Sequence, residues 1–75
     1  MKTEQQILLD ARKRLNLTQQ QVADRAHILL RQYQRFESGE RKLSSSSFSI
    51  ASSVLQALEL DVTTYVNGGY NDDKN

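Results

Sequence analysis

Apolar residues recur along the first sixty positions at helical spacing, and nowhere do they alternate long enough to predict a strand. Ile7, Leu8, Ala11 and Leu15 line one face of a helix expected from about Glu4 to Arg14. Arg12, Lys13 and Arg14 place positive charge at its C-terminal end, and Asn16 suits the left-handed residue that follows. Thr18 and Gln21 form a capping box, opening a second helix whose inner face is Val22, Ala23 and Ala26 and which ends near Ala26 or His27. A third helix is expected from about Leu29 to Glu37, with Ile28, Tyr33 and Phe36 on one face and Gly39 as its left-handed terminator. Glu40 to Leu43 read as an extended loop.

The four serines Ser44 to Ser47 read as a loop that ends in an N-cap. Phe48, Ala51, Leu55 and Leu58 continue beyond it at helical spacing, flanked by Ile50, Val54 and Ala57. Asp61 is the expected cap of a short fifth helix containing Val62, Tyr65 and Val66, closed by Asn67, Gly68 and Gly69. The polar tail after it is expected to fray. The expected fold is therefore all-α, with five helices, a domain over residues 1–67 and a C-terminal tail over 68–75. The polar N-terminus reads as the native start of that domain.

Composition narrows the function. The chain has 75 residues, 37% of them hydrophobic and 25% charged, which fits one small globular domain. A chain of this size buries only about 60% of the surface its unfolded form exposes, so its stability is expected to be modest. It has no cysteine, hence no disulfide and no thiolate metal site, and no apolar run long enough for a transmembrane or signal segment. His27 is the single histidine, and there is no glycine-rich phosphate loop. No catalytic residue, cofactor or metal ligand is expected, because such a chain could hardly enclose a water-excluding pocket. A binding module remains.

Charge suggests what it binds. Residues 2–42 carry nine Lys or Arg against five acids, whereas residues 43–75 carry one Lys against four acids. A basic first half points to an anionic partner such as a duplex. Two short helices with a tight link, the second rich in Arg and Gln, have the form of a helix-turn-helix. The major groove admits one helix, and Arg and Gln can reach base-edge acceptors and donors there.

The run Thr18-Gln19-Gln20-Gln21-Val22-Ala23-Asp24-Arg25-Ala26, then Ile28, then Tyr33-Gln34-Arg35-Phe36-Glu37-Ser38-Gly39-Glu40-Arg41 resembles a known pattern. It is similar to the helix-turn-helix of the xenobiotic-response-element family of bacterial regulators, which includes the phage lambda and 434 repressors and Cro proteins. Ala57 to Asp61 resembles the junction between that family's fourth and fifth helices. The resemblance covers roughly residues 5 to 66. Three departures stand out: His27 where the family has glycine, Leu29 and Leu30 where it has polar residues, and a longer loop without proline before the fourth helix.

Carried over by position, the resemblance implies that Gln19 bonds phosphate and buttresses the recognition helix. Leu30, Arg31, Gln34 and Arg35 would face the groove, and Ser38 and Lys42 would touch the DNA backbone. Arg12 and Glu37 would form a partly buried structural ion pair. The bland alternatives are a solvated helix face for Arg31 and Arg35, and a core or dimer-facing role for Leu29 and Leu30. Tyr33 and Phe36 read as core residues, and His27 as a turn residue. The implied function is a double-stranded DNA-binding transcriptional regulator, with repression as the expected mode, acting as a homodimer in a bacterial or phage cytoplasm at the nucleoid. Expected dimer surfaces are the fifth helix with Tyr65, Val66 and Tyr70, or the exposed part of the fourth. Two rival readings share the fold: an antitoxin-like regulator that also binds a protein partner, and a protein-interaction domain that has lost DNA binding.

Overall fold

Each helix begins where a side chain can satisfy the exposed amides of its first turn, with one exception. The computed structural model describes residues 3–61. In α1 (Glu4–Arg14), Thr3 Oγ1 accepts from the Gln6 amide at 3.2 Å. In α2 (Gln19–Ala26), the capping box closes both ways: Gln21 N–H donates to Thr18 Oγ1 at 3.1 Å, and Thr18 N–H donates to Gln21 Oε1 at 2.8 Å. In α4 (Phe48–Ala57), Ser47 Oγ accepts from the Ile50 amide at 3.2 Å. The exception is α3 (Leu30–Ser38), whose cap residue Leu29 has no side-chain acceptor.

Helix ends follow a second rule. In α1, α2 and α4 an amide two or three residues past the helix end donates back five positions: Leu17 to Arg12, Ile28 to Ala23 and Leu60 to Leu55, at 3.1, 3.0 and 2.8 Å. This geometry needs a left-handed residue just before that amide. Asn16, His27 and Glu59 supply it at φ 61°, 60° and 56°. Asn16 and His27 were expected there; Glu59 was not. Gly39 closes α3 at φ 86°, and a methyl group there would meet the side chain of Gln5, whose Cδ would lie 2.8 Å away.

Among the described residues there are four α-helices, a 3-10 turn at Leu43–Ser45 and no strand. The expected fifth helix, with Val62, Tyr65 and Val66, lies outside the described residues, as do its closing Asn67 to Gly69, Tyr70 and the tail. Helix α2 packs against both α3 and α4, while α1 packs against α3. The core joins Leu8 and Ala11 of α1, Val22, Ala23 and Ala26 of α2, Tyr33 and Phe36 of α3, Leu43, and Val54, Leu55, Ala57 and Leu58 at the end of the chain's described part. Alanines at 23 and 26 are what let α2 lie close to two neighbours at once.

Two expectations about the second half need correction. Leu43 does not belong to an extended loop: it opens the 3-10 turn and is fully buried. Glu4 explains the turn, since its carboxylate accepts from the Leu43 amide at 2.6 Å and the Ser44 amide at 3.2 Å. Phe48 shares no buried face with Leu55 and Leu58; it is 77% exposed, and the inward face of α4 starts at Ile50 and Ala51 and runs through Val54 and Leu55. Its position in the first turn, directly after the cap, projects it beyond the end of the core.

Candidate nucleic-acid interface

The third helix has two faces of different chemistry. Tyr33 and Phe36 are buried, while Arg31, Gln34, Arg35 and Ser38 are exposed on the opposite side at helical spacing. Leu30 is half-buried, and Leu29, at the helix start, is 74% exposed. Lys42 is exposed just before the 3-10 turn. The outward face therefore presents two guanidinium groups and one amide, with a leucine at its N-terminal edge.

Behind this face lies a polar centre built on Glu37. Arg12 reaches across from α1 in a two-pronged contact, Nε to Oε2 at 2.8 Å and Nη2 to Oε1 at 2.9 Å. Tyr33 Oη donates to Oε2 at 2.6 Å, and Gln19 Nε2 donates to Oε1 at 2.8 Å. Four donors saturate the acceptor capacity of the carboxylate. Arg12 spends a further N–H on the Leu17 carbonyl at 3.0 Å, so one side chain ties α1 to both α3 and the start of α2.

Protonation follows from this arrangement. Burial pushes the Glu37 carboxyl up, but hydrogen bonds from Arg12, Tyr33 and Gln19 and the positive charge of Arg12 outweigh it, holding the group below its ordinary value. The Arg12 guanidinium is raised, chiefly by its bond to Glu37. Burial, then the bond to Glu37, pushes the Tyr33 phenol well above its ordinary value and keeps it a donor. The centre is an ionised pair with a neutral tyrosine.

An ionised carboxylate only accepts, and that fixes the direction of the next links. Gln19 must turn its NH2 toward Glu37, which leaves its Oε1 facing outward. Gln34 Nε2 donates to that oxygen at 3.1 Å. Gln34 is thus oriented, through Gln19, by a charge in the interior. Gln19 itself is half-buried with both ends of its amide engaged.

The C-terminal end of α3 has its own contacts. Ser38 Oγ donates to the Arg35 carbonyl at 3.2 Å and accepts from the Glu40 amide at 3.3 Å. Gln5 Nε2 donates to the Ser38 carbonyl at 3.3 Å, tying α1 to the same end. Arg35 Nε lies 3.5 Å from Glu40 Oε2. Sequence reasoning missed the Tyr33 hydroxyl, Gln5, Glu4 and Glu40. The spacing of Tyr33 and Glu37, four apart on one helix, was a usable signal for the first. The others join residues more than thirty apart or loop atoms, and carried none.

Two short helices crossing over a shared apolar seam, the second offering an Arg- and Gln-rich outer face, define a helix-turn-helix. The sequence matches the helix-turn-helix family over residues 8–62, and the chain belongs to that family, the xenobiotic-response-element and Cro type of DNA-binding regulators. This is a DNA-binding family, not an enzyme family. No curated protein and no solved structure matches the chain. Among the described residues no helix is long and apolar enough to cross a membrane, and no three acids or histidines cluster as a metal site would require.

Proposed function

We propose that this protein is a sequence-specific regulator of transcription that reads the major groove with α3 and acts chiefly as a repressor. Arg31 and Arg35 contact guanine edges, Gln34 pairs with adenine, and Leu30 packs on a thymine methyl group. Gln19, through the second hydrogen of its Nε2, and Ser38, by turning its hydroxyl away from the Arg35 carbonyl, join Lys42 in holding the DNA backbone. The observation that carries the reading is the chain of bonds from Arg12 through Glu37 and Gln19 to Gln34. It fixes an exposed amide on a face with no core to pack against, an arrangement that suits readout of an external edge.

One short helix makes too few contacts for high specificity, so the protein binds as a homodimer on two half-sites about one turn, roughly 34 Å, apart. Residues 1–67 are the binding domain and 68–75 a tail, and the site of action is the nucleoid of a bacterial or phage-infected cytoplasm. Selection from a random duplex pool tests the reading. The expected result is enrichment of a two-fold repeated half-site whose binding weakens steeply with salt. Absence of any enrichment refutes it.

The exposure of Leu29 supports one second reading, in which a protein partner covers the head of α3. An antitoxin-like regulator would bind both partner and DNA; an interaction domain would bind the partner alone. The same selection separates them, since only the interaction domain leaves the pool unchanged.

A further inference from the structure

We infer that Glu40 is a positioning residue that determines specificity, reserving Arg35 for a base edge and denying it to phosphate. This rests on the groove-facing reading of α3 proposed above.

Backbone geometry brings Glu40 to Arg35. Left-handed Gly39 turns the chain back over the last turn of α3, where the Arg41 amide donates to the Arg35 carbonyl at 3.1 Å. The Glu40 amide is held by Ser38 Oγ. The carboxylate then lies 3.5 Å from Arg35 Nε, with Glu40 68% and Arg35 45% exposed. Neither side chain is part of the core, so their pairing is not required by packing.

The contact divides the guanidinium. With Nε beside the carboxylate, the Nη1 and Nη2 pair remains for outward bonds, and its fork matches the two acceptors of guanine. The carboxylate also sets a penalty. A phosphate approaching Arg35 meets a like charge within the same ion pair, whereas the neutral guanine edge does not. Arg41 and Lys42, both exposed, remain to attract the backbone. Glu40 thus weakens binding to every wrong sequence more than to the right one.

The experiment uses the full chain, with the selected duplex and a scrambled duplex of equal length, and circular dichroism to establish that each variant is folded. Glu40→Gln should raise affinity for the scrambled duplex by about three- to tenfold and that for the selected duplex by less than about twofold, lowering the specificity ratio. Glu40→Lys should also steepen the salt slope by about one unit. The decisive arm is a double-mutant cycle: in an Arg35→Ala background, Glu40→Gln should leave the ratio unchanged. If Glu40→Gln strengthens both duplexes equally, or lowers the ratio just as far without Arg35, the inference is overturned while the groove reading stands. If the unaltered chain binds neither duplex, the groove reading fails and takes this inference with it.

Discussion

Helix α3 takes part in two Arg–Glu pairs of the same chemistry in different surroundings. At Glu37 the side chains are 17% and 7% exposed, the contact is two-pronged, and two further donors complete the carboxylate. At Glu40 they are 45% and 68% exposed, with one approach of 3.5 Å. Water screens the second pair and gives it little to contribute to folding. The first is sheltered, so each partner depends on the other. Environment, rather than residue type, decides that one pair holds the helices together and the other stays adjustable at the surface.

The sharpest way to break this contrast is to remove one carboxylate at a time. Glu37→Ala strands Arg12 and leaves the Tyr33 hydroxyl and Gln19 without their acceptor, so it should cost about 3 kcal/mol in urea unfolding, a large share of a small domain's stability. Glu40→Ala should cost about 0–1 kcal/mol. Equal losses would mean that burial does not separate the two pairs.

Acid should reveal the same difference. The folded Glu37 carboxyl lies below its ordinary value, so its stabilisation is fully present above the unfolded carboxylate range, near pH 4.3. It is lost as pH falls through the lower, folded value. The stability gap between the unaltered protein and Glu37→Gln should be constant from pH 7 to about 5 and close progressively below pH 4. A gap that widened on acidification would reverse the assigned direction of the shift.

How much of this was legible beforehand depends on the range of each interaction. The helix starts at Thr18 and Ser47 and the left-handed Asn16 and Gly39 follow from local chemistry, whereas the left-handed His27 was read from the glycine that the resemblance places there. The Arg12 and Glu37 partnership, 25 residues apart, came only through family resemblance. The Glu4 clamp on the 3-10 turn spans 39 residues and depends on how a lengthened loop folds back, for which no local pattern exists. Phe48 misled because helical spacing identifies a face without saying where along it the core stops.

On DNA the contrast takes another form, between a fork and a point charge. Arg35→Ala should lose about 1–3 kcal/mol on the preferred site while largely sparing scrambled duplex. Lys42 lies outside the helix and can offer phosphate only a single charge, so Lys42→Ala should weaken all sequences alike and lower the salt slope by about one unit. Gel-shift titrations at several salt concentrations read both. If Arg35→Ala weakened every sequence equally, Arg35 would be a backbone contact and the recognition surface would lie elsewhere on α3.

The smallest effect comes from a third pair, Arg25 and Glu59, and has the opposite sign. Their closest approach is 3.9 Å, with side chains 47% and 66% exposed, so the ion pair contributes little. Glu59 also stands at φ 56°, where a side chain with a Cβ is strained by roughly 1–2 kcal/mol and glycine is not. Arg25 keeps its 3.4 Å bond to the Ala57 carbonyl whatever residue follows at 59. Relief of backbone strain should therefore exceed the lost ion pair even after glycine's greater unfolded-state freedom is subtracted, and Glu59→Gly should stabilise the domain by about 0.5 kcal/mol. Glu59→Gln keeps the strain and removes the charge, so it should be near neutral. Urea midpoints at unchanged m-value distinguish the two. Destabilisation by both substitutions, in equal measure, would show that an exposed carboxylate at this distance outweighs the backbone, and the division between sheltered and screened pairs would no longer hold.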